Sequence, residues 1–327
     1  MTTGDTDVQI ARALQAVAAR ESVADIFFVA CGGSYAHMLA NQYIVEREAS
    51  VINGAALNAA EFKARAPKRL GKTSVVILCS HSGTTPETVE AAEIARRSGA
   101  LTISLTHVLG SPLDQASEYT VSYTHAPLTV SPNHSAAVLS RLTFGILKVC
   151  EGNHKAEDLD KALADLPAVV EQAINDRRDV IAEFAEAHKR EAVIYTMASG
   201  SNFGVAYSYA ICICQEMQWI HSAAIHAGEY FHGPFEITDF DVPFIQLVGV
   251  GPSRAIDERA SSFVEKTSKR VTTLDAIELG VSAVPESVAE YVTPLIFSPV
   301  LRAYAEKLGE AKGHPLTVRR YMWKMEY

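Results

Sequence analysis

The chain predicts an α/β protein of two tandem domains, each a parallel sheet flanked by helices. Three observations lead there. Short continuous apolar runs end abruptly in Gly, Ser or Thr; a helical stretch follows the main ones; and the strand–turn–helix order recurs in the second half at a constant offset. A run that is apolar at every position reads as a strand covered on both faces, the setting of a parallel sheet between helices.

The elements follow in order. Ile10, Leu14 and Val17 are spaced for one face of an opening helix over residues 8–20. Ile26-Phe27-Phe28-Val29-Ala30-Cys31 is the first strand, breaking at Gly32-Gly33-Ser34 before a helix over 35–48. Val75-Val76-Ile77-Leu78-Cys79 is the second, running into Ser80-His81-Ser82-Gly83-Thr84-Thr85 and a helix over 86–98. Leu101-Thr102-Ile103-Ser104-Leu105 and Tyr119-Thr120-Val121-Ser122 are further strands. After a polar helical region over 155–190, Ala192-Val193-Ile194-Tyr195-Thr196-Met197 enters Ala198-Ser199-Gly200-Ser201-Asn202, followed by a long helix through Glu216. Pro243-Phe244-Ile245-Gln246-Leu247-Val248 then enters Gly249-Val250-Gly251-Pro252-Ser253 and another helix. Gly32 and Gly200 are 168 positions apart, and Ser82 and Gly251 are 169 apart. Such a spacing indicates an internal repeat, with domains expected at 1–160 and 161–327.

Composition bounds the partners. In 327 residues, 29 Lys and Arg face 38 Asp and Glu, a net charge of −9, which speaks against a nucleic-acid or anionic-membrane surface. A hydrophobic share of 48% excludes disorder as the main state. No apolar run approaches the roughly 18 residues of a membrane span. Cys31, Cys79, Cys150, Cys212 and Cys214 are odd in number and contain no C-x-x-C, so reduced thiols are expected and a zinc site is not. Met1-Thr2-Thr3-Gly4-Asp5 does not begin a secretory leader. Together these readings predict a cytoplasmic protein. A small anion stays open, because helix N-termini bind phosphate without net positive charge.

The segment Ser80 to Thr85 suits such an anion. It offers four hydroxyls and a glycine at a strand's carboxyl end, with Pro86 placed to open a helix. Thr84 or Thr85 as a plain helix cap, with Thr84-x-x-Glu87 as a capping box, is the competing reading. The segment is neither a P-loop nor a G-x-G-x-x-G fingerprint, so ATP and NAD are disfavoured. A second concentration of chemistry is QEMQWIHSAAIHAGEYFHGPFEI, residues 215–237. Glu216 ends an apolar helical run, where burial raises a carboxylate's pKa toward that of a general base. His232 precedes Gly233-Pro234, which fixes it on a loop. From the residues alone, Glu216 and His232 divide evenly between catalytic and structural roles. His221 and His226 read as structural, and their spacing gives no helical metal pair. Trp219 and Trp323 read as packing residues.

Cys31-Gly32-Gly33-Ser34, Ser80 to Thr85 and Gly228-Glu229-Tyr230-Phe231-His232-Gly233-Pro234 together resemble the sugar isomerase (SIS) domain family. Within it, the chain is similar to the fructosamine-6-phosphate and fructoselysine-6-phosphate deglycases, over residues 22–321. The resemblance implies phosphate-binding hydroxyls at Ser34, Ser80, Ser82 and Thr85, with Gly32, Gly33 and His81 counted among the substrate-binding positions. It implies Glu216 as general base and His232 in sugar ring opening, the histidine coming from a neighbouring subunit, hence at least a homodimer. It implies a sugar-phosphate substrate, a 6-phosphorylated fructosyl amino acid, and no metal or organic cofactor. Related glutamine-dependent synthases carry a tail lysine that forms a Schiff base with the sugar. Aligned on Pro315, that position is Arg320 here, with Lys324 nearby; an arginine stays protonated and is suited to closing over substrate electrostatically. Pro132-Asn133-His134 and residues 319–327 are candidates to touch the amino-acid part. An aminosugar-phosphate deaminase or isomerase and a non-catalytic sugar-phosphate sensor are the rival functions.

Overall fold

The computed structural model describes residues 3–326; Met1 and Thr2 of the predicted N-terminus and Tyr327 of the predicted tail lie outside the described residues. The chain separates into two compact units, residues 1–126 with 130–164, and 127–129 with 165–327.

The first unit opens with α1 (Thr3–Ala18) and β1 (Asp25–Ala30), then α2 (Gly32–Glu48), β2 (Asn53–Asn58) and α3 (Ala59–Arg65). It continues with β3 (Ser74–Cys79), α4 (Pro86–Arg97), β4 (Leu101–Thr106), α5 (Pro112–Ala116), β5 (Tyr119–Ser122) and α6 (Ser135–Glu151). The five strands pair in parallel in the order β2-β1-β3-β4-β5. Every residue of β1, β3 and β4 is buried, as their unbroken apolar runs require. β2 escapes that signal because it is an edge strand, mostly half-exposed, reading Asn-Gly-Ala-Ala-Leu-Asn. Its Gly54 admits α2, since a Cβ there would stand 2.9 Å from Val45 Cβ. α6 is also absent from the sequence reading: Ala137 to Ser140 and Leu142 to Leu147 are all buried, so no polar face marks a helical period.

α7 (Ala156–Asp176) begins in the first unit and ends in the second. The single helical region expected over 155–190 breaks at Arg177, where α8 (Arg178–His188) starts. β6 (Tyr195–Ala198) is shorter than predicted: Val193 makes only an isolated bridge with His221. The predicted long helix through Glu216 is composite, with a 3-10 turn at Gly200–Asn202, α9 (Phe203–Ser208) and a π-helical segment, Tyr209–Met217. There follow β7 (Ala224–His226), β8 (Phe244–Val248), α10 (Arg254–Thr267), β9 (Val271–Asp275) and α11 (Glu286–Lys312). The parallel order β7-β6-β8-β9 repeats β2-β1-β3-β4.

The glycines show why the turns repeat as well. Gly32 (φ +56°) corresponds to Gly200 (φ +54°), and Gly83 (φ +67°) to Gly251 (φ +81°), each pair 168 positions apart. All four hold the left-handed backbone that glycine alone adopts at little cost, so each strand-to-helix turn is spelled with the same residue.

Candidate active site

In an open parallel sheet the ligand crevice lies at the carboxyl edge where the strand order reverses. In the first unit that point is between β1 and β3, flanked by Cys31 to Ser34 and by Ser80 to Thr85. The Ser34 hydroxyl reaches the end of β3, hydrogen-bonding the Cys79 thiol, whose pKa burial pushes up to about 11. Gly32, Gly33 and Ser34 form the first turn of α2 rather than a loop before it.

The Ser80–Thr85 turn is closed by its own hydroxyls. Ser80 Oγ is 2.8 Å from Thr85 Oγ1, and Ser82 Oγ is 2.7 Å from Thr84 Oγ1. Gly83 N–H donates to Ser80 Oγ at 3.2 Å. Thr85 is the N-cap residue of α4, yet its side chain does not cap, and no capping box forms with Thr84 and Glu87. The plain-cap reading is therefore overturned: the hydroxyls turn toward one another at a helix start that no side chain caps. Beside them, Thr88 Oγ1 and Ser111 Oγ are buried without a hydrogen-bond partner among the described residues. Such an arrangement can take a tetrahedral anion, with hydroxyls and backbone N–H groups as donors and the helix dipole favouring the charge.

His81 is turned along the sheet edge. Its Nδ1 lies 3.3 Å from the Tyr123 hydroxyl, and its ring meets those of His107 and His125. His107, Tyr123 and His125 have no signal in the sequence, since they are isolated residues that only strand order brings together.

The second unit has the corresponding crevice between β6 and β8, and it is occupied by protein. Asp257 of α10 accepts from Ser199 Oγ at 2.5 Å and from Gly249 N–H at 3.0 Å. This carboxylate stands where an incoming anion would, so of the two repeats only the first has an open cradle. Burial pushes the Asp257 carboxyl up to about 6, against the pull of its donors and Arg254. Its folded value lies above the ordinary one, so the folded chain holds the proton longer and loses stability as pH rises from about 4 through 6. Urea unfolding at pH 5 and pH 7.5 should show the wild type losing about 1 kcal/mol relative to Asp257→Asn. A difference that stays flat or grows with pH contradicts this burial.

Glu216 sits near the end of the π-helical segment, a geometry often found at functional sites. It stands against a cation rather than the apolar wall expected of it: Arg319 Nη2 is 2.8 Å from Glu216 Oε1, with the side chains 8% and 22% exposed. Arg319 also donates to the Leu316 and Val318 carbonyls. The tail position singled out by alignment, Arg320, lies instead over the Trp219 ring at 4.2 Å. Trp219 packs against His314, whose carbonyl accepts from Gln218 Nε2. The packing expected of the tryptophans takes place at the surface, against the tail. Trp219 is 41% and Trp323 77% exposed, both have positive φ, and each receives an arginine on its ring. Backbone strain of this kind persists where a surrounding arrangement demands it, here a tail latched across the helix that holds Glu216.

His232 is exposed on a short 3-10 turn, Tyr230–His232, backed by Tyr230, Phe231, Phe235 and Phe263. Among the described residues, no hydrogen bond or ring contact joins it to Glu216. A cavity of about 660 Å³ between α7, α8 and α11, floored by Pro167, Ile174, Ile181 and Ala303, includes none of the predicted site residues.

Comparison with known proteins agrees with this architecture. A SIS domain model matches residues 21–145. The chain is 50% identical over 307 residues to the fructosamine deglycase FrlB of Bacillus subtilis, covering 94% of each protein. It is 27% identical to the fructoselysine 6-phosphate deglycase of Escherichia coli, over 96% of this chain and 90% of that one. Among solved structures, a Bacillus subtilis protein described as a candidate phosphosugar isomerase superposes with a TM-score of 0.95 at 48% identity, each chain covered in full. A Salmonella typhimurium structure of like description also gives 0.95, at 40% identity, covering all of this chain and 98% of that one. The chain belongs to the SIS-domain family, in the group that includes the fructosamine deglycases.

Proposed function

We propose that the chain is a fructosamine-6-phosphate deglycase, hydrolysing a 6-phosphorylated fructosyl amino acid to glucose 6-phosphate and the free amino acid. The observation that carries this reading is the uncapped start of α4, ringed by Ser80, Ser82, Thr84 and Thr85 at the strand-order reversal. It accounts for the phosphate, in a chain half identical to a protein named as a fructosamine deglycase.

In the proposed reaction His232 assists opening of the cyclic sugar. Glu216 takes a proton from C1 of the ketoamine while the C2 oxygen gains one, giving an enaminol. Reprotonation at C2 leaves an aldimine; water adds to its carbon, and the amine departs as the aldehyde of glucose 6-phosphate forms. The substrate nitrogen itself stabilises the intermediate, so the sequence of steps calls for no metal or organic cofactor. Phosphate binding far from C1 supplies binding energy that orients the substrate, an effect worth roughly several kcal/mol. Gly32, Gly33, Ser34 and His81 complete the phosphate surroundings.

The same reading assigns residues 1–160 to a phosphate-binding SIS domain and 161–327 to a second one, whose tail covers the substrate. Arg319 and Arg320 supply the tail's positive charge. The exposure of His232 supports its use in a partner's site within a homodimer, and the exposed Ile237 and Phe240 near it suit a protein contact. No helix among the described residues is long and apolar enough to cross a membrane, in keeping with the proposed cytoplasmic setting.

Coupled detection of glucose 6-phosphate should register turnover with a panel of fructosyl amino acid 6-phosphates, while ammonia release from glucosamine 6-phosphate, measured in parallel, should be much smaller. Turnover of the aminosugar alone assigns a deaminase instead. Sugar-phosphate binding without turnover of any member assigns a sensor.

A further inference from the structure

The segment from Ser80 to Thr85 contains no lysine or arginine. A phosphate dianion there would receive hydroxyls and helix N–H groups but no fixed full charge. Imidazoles stand beside it instead. His81 follows β3, His107 follows β4 and His125 follows β5, so three neighbouring parallel strands deliver one ring each to the same sheet edge. The His81 and His107 rings are stacked, 5.0 Å apart and 4° from parallel, and His125 meets His81 edge-on at 5.2 Å. Tyr123 backs both stacked rings, through its hydroxyl to His81 and its carbonyl to His107 Nδ1 at 2.9 Å. A carbonyl only accepts, so His107 holds its proton on Nδ1 and leaves Nε2 to take a second one.

The side chains around His81 disfavour its charged form. Burial, then His125 and His107, push His81 below the ordinary histidine value, and no carboxylate is among the groups acting on it. From α2, buried His37 is pushed down to about 4 by burial and by His125. From β3 and β5, Cys79 and Tyr123 are both pushed up, chiefly by burial, and so are uncharged. The acids on adjoining elements are Glu87 in the first turn of α4 and Asp114 on α5, the latter accepting from Gly110 N–H at 2.7 Å. Among the described residues, no group of three His, Cys, Asp or Glu side chains is arranged to hold a metal ion.

We propose that the His81–His107–His125 stack is the proton-accepting counter-charge of the phosphate site, so that binding of a sugar phosphate draws about half a proton, on average, onto these rings near pH 7.5. This rests on the phosphate reading of Ser80 to Thr85. The bound dianion favours the charged imidazole, and the close rings share a single proton, since two adjacent cations would repel. Binding tightens as the solution supplies protons, and weakens as pH rises.

Calorimetric titration of the intact protein with glucose 6-phosphate at pH 7.5, in two buffers of different ionisation enthalpy, measures the proton directly. At that pH the free phosphate is almost wholly a dianion, its second pKa being about 6. The expected result is uptake of about half a proton per bound ligand, with affinity falling about threefold per pH unit above 7. His107→Asn should remove most of the uptake and flatten the pH dependence. Equal heats in the two buffers overturn the proposal with no variant needed, as does uptake undiminished in a folded His107→Asn. Absence of any binding is a different failure, which overturns the phosphate reading itself.

Discussion

Glu216→Gln should bind glucose 6-phosphate about as well as the wild type while its turnover of a fructosyl amino acid 6-phosphate falls about 10³-fold, the usual scale for losing a general base. The substitution keeps the shape of the side chain and removes its ability to accept the C1 proton. It also leaves the Arg319 guanidinium, 8% exposed, facing a neutral amide, with Nε already lacking a partner. A cost of about 1–3 kcal/mol in stability follows from that loss, so thermal unfolding must accompany the kinetics. A folded Glu216→Gln that retains full turnover removes Glu216 from the mechanism. The Glu216–Arg319 ion pair adds a requirement that the proposed chemistry must meet. Arg319 engages Oε1, so in the proposed chemistry the C1 proton goes to Oε2 or to an Oε1 that the guanidinium has released.

How much of this was legible in the residues depends on whether the signal was local. β1, β3 and β4 were readable because burial on both faces writes a continuous apolar run. The edge strand β2 and the three-residue β7 have no such run, and Pro294 and Pro299 lie inside α11, the longest of the described helices, and obscure it. The turns were readable because a left-handed backbone demands glycine, which is why their spacing gave away the repeat. Hydroxyls could be found in the Ser80–Thr85 segment, but not the fact that they pair with one another instead of capping α4. The histidine stack left no trace, since His81, His107 and His125 come from three strand ends separated by whole helices. In the tail, alignment on Pro315 pointed to Arg320, while the turn beyond α11 delivers its neighbour to Glu216.

Gly83→Ala should cost about 2–4 kcal/mol of stability and weaken glucose 6-phosphate binding about 100-fold. At φ +67° the new Cβ would stand 2.0 Å from Ser111 Oγ, 2.5 Å from Ser111 Cβ and 2.9 Å from Thr106 Oγ1. Neither neighbour can simply swing aside, because Ser111 is the N-cap residue of α5 and Thr106 the last residue of β4. Gly83 is also tied at both ends: its N–H donates to Ser80, and its carbonyl accepts from Leu113 N–H at 2.9 Å. Relief of the clash therefore moves Ser80 and with it the Ser80–Thr85 pair. Gly251→Ala in the second unit is the matched control. It imposes similar backbone strain at φ +81°, but its nearest neighbours, Glu290 Oε2 at 2.9 Å and Glu290 Cβ at 3.0 Å, leave a milder clash than the 2.0 Å at Gly83, and its crevice is already filled by Asp257. That variant should lose about 1–2 kcal/mol and bind glucose 6-phosphate like the wild type. Binding is read by calorimetry at a temperature where both variants are folded. Wild-type affinity in Gly83→Ala would remove the phosphate from the first unit, and loss of binding in Gly251→Ala instead would move it to the second. The repeat thus supplies its own test: two glycines with one backbone geometry, of which only the first should matter to the ligand.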